Sequence, residues 1–189
     1  MALGNNPQCV ALGEQPFGSA HGMKDFVVIT LGYGLGSCLF SNGRIHLGTK
    51  GFAGEVGHTC VEPNGRQCAC GNIGCLEAYC AHKGIIKTAQ ELLAESSEPS
   101  LMRQVEKLNP KIIAELCDQG DALAIETFRR TGDILGRGLA NYASITNPEA
   151  IILTGGIPHA GKWLLEPTEK SFEKHVFHNI KGQTKILEI

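Results

Sequence analysis

The segment from Gly54 to Glu77, GEVGHTCVEPNGRQCACGNIGCLE, constrains this chain more than any other stretch, because it gathers one histidine and three cysteines among several glycines. Thiolates and a neutral imidazole at such spacings converge on one tetrahedral Zn²⁺, and the glycines permit the tight turns that this requires. The sequence therefore predicts a zinc site. Its ligands are His58, Cys68, Cys70 and Cys75.

The composition is that of an ordinary soluble domain. The chain has 189 residues, 42% of them hydrophobic and 19% charged, with a formal net charge of −2. This charge gives no reason to expect a nucleic acid or a membrane as a partner. The N-terminus lacks the basic and apolar regions of a signal peptide, which favours a cytoplasmic location. Cysteines there are mostly reduced or metal-bound, so zinc is favoured over disulfides or free thiols among the eight cysteines.

Three early strands surround a glycine-rich turn. Residues 25–31, DFVVITL, form an apolar and β-branched run typical of a buried strand, and the glycines of 32–37 follow directly. Residues 38–40 and 44–47 read as two further strands. The glycines therefore lie in a β-hairpin, whereas a dinucleotide-binding fold requires a helix after them.

The rest of the chain alternates helices with strands. Helices are predicted at residues 8–20, 77–94, 110–118, 122–144 and 162–176, and strands at 150–153 and 185–189. Asp121 is expected to cap the long helix, and its glycines at 132, 136 and 138 indicate that another backbone packs closely against it. This order predicts an α/β domain with a mixed sheet.

Three motifs resemble those of the ROK family, which comprises bacterial sugar kinases, glucokinases and sugar-responsive repressors. They are GFAGEVGHTCVEPNGRQCACGNIGCLEAYCA, VITLGYGLGSCLFSNGRIHLG and IILTGG, and the similarity extends from Asn5 to Ile189. The resemblance implies an actin-like ATPase (ribonuclease H-like) fold, with residues 1–189 forming a single larger lobe. It also leads us to expect that a smaller lobe belongs before Met1 and a closing helix after Ile189.

In the family the zinc site is closed and structural. The resemblance implies a sugar pocket beside that site. Glu55, His58 and Glu77 correspond to residues that hydrogen-bond hexose hydroxyls, and a carboxylate can accept from two hydroxyls at once. The metal would hold one ring nitrogen of His58 and leave the other for the sugar. The plainer interpretation of Glu55 and Glu77 is that they are solvated charges on a loop and at a helix N-terminus.

The catalytic base of the family's kinases is an aspartate, and its position is occupied here by Asn6. An amide cannot remove a proton from a sugar hydroxyl at neutral pH, and loss of a positioned base lowers the rate by about 10²–10⁴-fold. Asn5 and Asn6 would still hydrogen-bond the sugar. Alternatively, this segment is only a frayed terminus.

The nucleotide-binding glycines implied by the resemblance are Gly32, Gly34, Gly36, Gly155 and Gly156. Backbone N–H groups in such turns approach phosphate oxygens closely. The chain departs from the family at Tyr33, where threonine is usual, and at Cys38, where glycine is usual. Any Mg²⁺ is expected to arrive with ATP.

Two remaining cysteines and the isolated histidines have plainer interpretations. Cys60 is a rival zinc ligand because it lies close to His58, but Cys60 and Cys80 are both predicted to be buried and apolar in character. His82 and the other histidines outside the zinc motif are predicted to lie on the surface or to lack partners.

Three functions remain open from the sequence. The first is a glucokinase-like, ATP-dependent hexose kinase with zinc and Mg·ATP, impaired or inactive as this chain stands. The second is a sugar-binding sensor module or pseudokinase derived from a ROK repressor. The third is a non-functional fragment. In each case exposed apolar surface is expected to promote a homodimer.

Overall fold

A computed structural model describes residues 6–189 of the chain, so the predicted sugar contact at Asn5 lies outside the described residues. The strands are β1 (Phe26–Leu31), β2 (Leu35–Ser41), β3 (Arg44–Ile45), β4 (Ala150–Thr154) and β5 (Lys185–Glu188). The α-helices are α1 (Asn6–Phe17), α2 (Glu77–Cys80), α3 (His82–Glu95), α4 (Pro110–Asp118), α5 (Ala122–Thr146) and α6 (Lys162–His175).

The strands form one mixed sheet in the order β3-β2-β1-β4-β5. β1 pairs antiparallel with β2 and parallel with β4, and β5 extends the parallel side. The predicted α/β class and the β-hairpin around the glycines are both confirmed. The third strand is shorter than predicted, since only Arg44 and Ile45 belong to it.

Both faces of the central strand are buried, as its apolar sequence predicts. Val27, Ile29 and Leu31 belong to the core beneath the long helices, whereas Phe26 and Val28 belong to a smaller core that includes residues of α1. α1 covers that second face by packing on β1 and β2. The turn between β1 and β2 is thereby held at one edge of the molecule, between α1 and the cysteine segment.

The single helix predicted over residues 77–94 is wrong, because the chain breaks at Ala81. The Ala81 backbone is extended (φ −85°, ψ 172°) and separates α2 from α3. Outside partners take the backbone groups that a continuous helix would pair: the Arg66 guanidinium donates to the Ala78 carbonyl at 3.2 Å. The His82 N–H donates to the Gly32 carbonyl at 2.9 Å. The break therefore ties the start of α3 to the glycine turn.

The long helix α5 packs closely on α6 through two of its glycines. A Cβ atom on Gly132 would lie 2.9 Å from the Leu164 carbonyl oxygen, and one on Gly136 would lie 2.7 Å from the Phe172 nitrogen. Both contacts confirm the predicted close backbone approach. Gly138 instead faces the Leu76 side chain, so the prediction is wrong for that glycine.

The ends of α5 are set by local chemistry. The Asp121 carboxylate accepts from the Ala124 N–H at 2.9 Å, which confirms the predicted N-cap. At the other end Asn147 adopts a left-handed conformation (φ 45°), which terminates the helix before Pro148. No helix within residues 6–189 is both long enough and apolar enough to cross a membrane.

Candidate functional site: a cysteine cluster beside two adjoining cavities

His58, Cys68, Cys70 and Cys75 converge as the sequence predicts. Their candidate ligand atoms all lie within 4.8 Å of one another. The Cys70 and Cys75 sulfurs are 3.6 Å apart, and the His58 Nδ1 is 3.8 Å from the Cys68 sulfur. Four ligands in a tetrahedron around Zn²⁺, with Zn–S bonds of about 2.3 Å, have sulfurs about 3.8 Å apart. The donor set and its spacing therefore fit zinc.

The thiols of this cluster differ in acidity. The Asn72 backbone N–H, followed by the Cys68 side chain, lowers the pKa of Cys70 to about 7. Burial, followed by a hydrogen bond with Cys70, raises the pKa of Cys75 to about 12. A bound divalent cation deprotonates coordinating thiols, so it would supply the charge that the buried Cys75 thiolate needs.

The two other cysteines near the cluster do not share one environment. Cys80 is buried, as predicted, and its sulfur lies 3.7 Å from the Thr131 carbonyl oxygen. Cys60 is exposed, so the prediction that it is buried is wrong. Cys60 pairs with Cys75 through an isolated β-bridge but is not one of the four clustered residues.

The Arg66 side chain links the cysteine segment to α2 and α3 by hydrogen bonds. Its guanidinium, with a side chain only 11% exposed, donates to the Ala78 and Gly84 carbonyls. It also donates to the Thr88 hydroxyl at 2.9 Å and lies 2.5 Å from a Glu91 carboxylate oxygen. The cysteine motif does not reveal this role of Arg66. No sequence signal identifies it, because two of its four partners are backbone carbonyls and the other two lie in a different segment.

A cavity of about 870 Å³ opens beside the cluster, at the turn between β1 and β2. We call it the hairpin cavity. Its walls are formed by Asn6, Pro7, Val10, residues 30–37, Glu55, Glu77, Thr154 and Gly155. It thus brings together Asn6, both predicted carboxylates and four of the five predicted glycines.

Glu77 connects the hairpin cavity to the cysteine cluster. One carboxylate oxygen accepts from the Leu35 N–H at 2.9 Å, and the other lies 3.9 Å from the Cys68 sulfur. A Cβ atom on Gly34 would lie 2.9 Å from the same carboxylate, so a side chain there would have to displace Glu77 from this position. This anchoring argues against a freely solvated charge, and it leaves lone pairs on both oxygens for a ligand.

Glu55 is exposed, and the backbone on either side of it is held by Ser37. The Ser37 hydroxyl donates to the Gly54 carbonyl and accepts from the Val56 N–H at 3.0 Å. Ser37 itself is buried in β2. The sequence reading missed this contact, because a serine in a glycine-rich turn carries no distinctive signal of a tertiary hydrogen bond.

His58 is brought to the cysteine cluster but is not among the described residues that line the hairpin cavity. Its Nδ1 faces the Cys68 sulfur. The other ring nitrogen, Nε2, is the one left for a ligand. The predicted contact between His58 and a sugar therefore stays a prediction.

A second cavity, of about 1010 Å³, lies on the other side of the same turn. We call it the helical cavity. Its walls are formed by Gly32, Tyr33, His82, Ile86, residues 107–111, Ala114, Glu115, Asp118, Gly156, Ile157, His159 and Ala160. Gly156 thus faces this cavity, whereas Gly155 faces the hairpin cavity.

His82 is not an isolated histidine. Its ring packs against the Tyr33 ring, with centroids 4.9 Å apart and an interplanar angle of 32°. The prediction that it lacks a partner is therefore wrong. Residue types and spacing do not indicate this contact, because the two residues meet at the break between α2 and α3.

The mixed sheet and its flanking helices form the actin-like ATPase fold that is found in ROK sugar-kinase structures. The sequence model of the ROK family matches residues 1–188, and the chain belongs to that family.

Three relatives show the range within the family. The chain is 37% identical over 180 residues to a glucokinase of Halalkalibacterium halodurans, covering 93% of this chain and 54% of that protein. It is 34% identical over 167 residues to the DNA-binding transcriptional dual regulator NagC of Escherichia coli, covering 88% of this chain and 41% of that protein. A ROK family glucokinase from Streptomyces griseus, solved in complex with glucose and AMPPNP, superposes with a TM-score of 0.89 at 32% identity. That match covers 99% of this chain and 62% of the other. The chain thus spans roughly half the length of these relatives.

Proposed function

We propose that residues 1–189 form the larger lobe of a ROK-type, ATP-dependent hexose kinase and that the hairpin cavity binds a hexose such as glucose. The observation that carries this proposal is the meeting of Asn6, Glu55 and Glu77 in one cavity beside the glycine turn. The similarity to glucokinases supports the same assignment.

The two carboxylates would accept hydrogen bonds from sugar hydroxyls. Each carboxylate oxygen can accept more than one hydrogen bond, so vicinal hydroxyls can be held as a pair. Ser37 positions the backbone around Glu55, and the Leu35 N–H fixes Glu77. The Glu77 carboxylate and the backbone that carries Glu55 are therefore positioned before a sugar arrives, which lowers the entropy lost on binding.

Zinc held by His58, Cys68, Cys70 and Cys75 would have a structural role. Four protein ligands leave no open position for chemistry, so the ion would supply only a fixed shape for the segment between Glu55 and Glu77. Glu77 approaches the Cys68 sulfur directly, which links the metal site to the cavity wall. The metal site is in this sense a support for the sugar site.

The nucleotide would occupy the helical cavity, with its phosphates near Gly32, which lines both cavities, and near Gly155 and Gly156. Lys107 and Lys111 line this cavity and offer positive charge, although Glu115, 3.9 Å from the Lys111 ammonium, lines it as well. Mg²⁺ would accompany the phosphates, since phosphoryl transfer depends on positioning and charge neutralisation.

Phosphoryl transfer by this chain is proposed to be severely impaired. Asn6 begins α1 and lines the hairpin cavity, at the position that the family resemblance assigns to the general base. An amide there lowers the rate by about 10²–10⁴-fold. We therefore expect sugar binding without efficient turnover.

A second candidate function is a sugar-binding sensor module. The similarity to the regulator NagC, at 34% identity, favours this alternative. A sensor and an impaired kinase both bind sugar, and they differ in whether phosphate is transferred at all. A measurement of sugar phosphate therefore distinguishes the sensor from the impaired kinase.

The homodimer is proposed from exposed apolar side chains. Phe17 on α1 is 91% exposed, and Phe52 in the segment after β3 is 73% exposed. Sedimentation velocity over a range of concentrations tests this proposal, and a single monomeric species at every concentration would refute it.

Calorimetric titration with glucose tests the proposed function. We expect the variants Glu55→Gln and Glu77→Gln to bind glucose about 10- to 100-fold more weakly, because each loses a charged acceptor worth about 1.5–3 kcal/mol. The control Glu106→Gln, an exposed acid outside both cavities, should bind as the wild type does. Equal affinity in all four proteins would refute the sugar site.

A second arm of the experiment follows formation of sugar phosphate from Mg·ATP by ³¹P NMR. For an impaired kinase we expect slow product formation that rises about 10²–10⁴-fold in Asn6→Asp. No product from either protein favours the sensor module if glucose binds, and the non-functional fragment if it does not. Rapid turnover by the wild type, at the 1–100 s⁻¹ typical of kinases, would refute the proposed impairment.

A further inference from the structure

Few residues separate the hairpin cavity from the helical cavity. Gly32 and Tyr33 line both cavities. At the end of the adjacent strand β4, Gly155 lines the hairpin cavity and Gly156 lines the helical cavity. If a sugar occupies one cavity and a nucleotide the other, the terminal phosphate has to cross between these two pairs of residues.

Tyr33 is the one large side chain at this boundary. It is 88% exposed, so it projects from the turn instead of packing into the core. Its ring lies against the His82 ring, with centroids 4.9 Å apart. The glycines beside it carry no side chains, so the Tyr33 ring is the one bulky group that lines both cavities.

His82 holds the Tyr33 ring in place. The His82 N–H donates to the Gly32 carbonyl at 2.9 Å, so the histidine is fixed to the same turn that carries the tyrosine. α3 begins at His82, and that helix is packed in the core through residues such as Ile85. Because His82 is itself held in this way, its ring contact restrains the Tyr33 ring.

We propose that the Tyr33–His82 pair is a gate that selects nucleotides by the length of their phosphate chain. This inference rests on the proposed function of the two cavities. A nucleoside monophosphate fits within the helical cavity and leaves the pair closed. A nucleoside triphosphate reaches the boundary and binds fully only when the Tyr33 ring leaves His82.

The size of the effect follows from the ring contact. Aromatic pairs of this kind change an equilibrium by roughly twofold to tenfold. Wild-type protein should therefore bind ATP less well, relative to AMP, than a variant without the pair.

Calorimetric titration of the full chain with AMP and with Mg·ATP tests the gate in six proteins: the wild type, four single variants and the double variant of Tyr33 and His82. Tyr33→Thr and His82→Ala each break the pair, whereas Tyr33→Phe keeps an aromatic ring on His82. Phe177→Thr is the matched control, because Phe177 is 50% exposed and its ring also contacts a histidine, His178, with centroids 4.6 Å apart. Phe177 lines neither cavity.

We expect the affinity for Mg·ATP relative to AMP to rise by roughly twofold to tenfold in Tyr33→Thr and in His82→Ala. It should stay at the wild-type value in Tyr33→Phe and Phe177→Thr. The double variant of Tyr33 and His82 should gain no more than either single variant, since both remove one contact.

The possible results separate the gate from the proposed function. AMP binding with the same relative affinity for Mg·ATP in all variants would overturn the gate alone. An equal rise in Tyr33→Phe would also overturn it, because the ring contact would then be irrelevant. Failure of every protein to bind AMP would refute the nucleotide site itself, and the gate with it.

Discussion

Replacing Arg66 with alanine should destabilise the protein more than replacing any exposed arginine. The substitution removes hydrogen bonds to two backbone carbonyls, those of Ala78 and Gly84, and one to the Thr88 hydroxyl. The Ala78 carbonyl loses its side-chain partner, and a buried acceptor left unpaired costs about 1–3 kcal/mol. The Gly84 carbonyl keeps the Thr88 hydroxyl at 3.1 Å, so there the loss is that of a charged hydrogen bond, about 1.5–3 kcal/mol at most. Glu91 is 41% exposed and can be hydrated, so its lost ion pair adds little. We expect a loss of about 3 kcal/mol.

Urea unfolding at neutral pH measures this loss as a lower midpoint with an unchanged slope. In a thermal melt the same loss corresponds to a fall in Tm of roughly 6–12 °C for a protein of this size. Arg66→Lys should recover only part of the stability, because an ammonium cannot match the forked contacts of a guanidinium.

Arg103 provides a matched control for Arg66. Its guanidinium also donates to three backbone carbonyls, those of Leu93, Ser96 and Glu98, but the residue is exposed. Water can replace those contacts, so Arg103→Ala should change stability by less than about 1 kcal/mol. If Arg66→Ala and Arg103→Ala have the same small effect, the reasoning from burial is wrong.

Three further predictions concern the metal, the packing of α5 and acid stability. Cys75→Ser should weaken zinc binding by more than about 100-fold in a chelator competition, whereas Cys60→Ser should not, and equal effects would refute the ligand assignment. Gly136→Ala should lower the unfolding free energy by about 1–3 kcal/mol, and Gly13→Ala, which has open space around it, should not lower it; equal melting temperatures would count against the close packing. Burial alone would raise the pKa of Asp121, but hydrogen bonds from the Ala124 N–H and its other partners outweigh burial and lower that pKa in the folded protein. The ionised carboxylate therefore adds stability above its unfolded pKa of about 3.9, and this is lost as the pH falls through the folded value. Asp121→Asn should lose less stability on acidification, and parallel pH profiles would contradict this.

The elements with regular patterns were predictable from the sequence. The apolar run of β1 gave a buried strand, and Asp121 marked the start of α5. The spacing of the cysteines predicted their convergence with His58. In these cases the information is local, because side-chain periodicity, a capping residue or a short spacing determines the result.

The features that the sequence did not reveal depend on contacts between distant segments. The break at Ala81 arises because Arg66 and Gly32 take backbone groups that helical periodicity assigns to the helix itself. The exposure of Cys60 follows from the path of the cysteine segment, which residue type does not determine. The Tyr33–His82 contact in turn requires the break, so it was hidden for the same reason.

A crystal structure of the chain grown with glucose and zinc, with data collected at the zinc absorption edge, tests the central claim most directly. We predict glucose in the hairpin cavity, with its hydroxyls within hydrogen-bonding distance of Glu55 and Glu77. The anomalous signal should lie between His58, Cys68, Cys70 and Cys75. Glucose bound elsewhere, or an empty hairpin cavity at saturating glucose, would contradict the account.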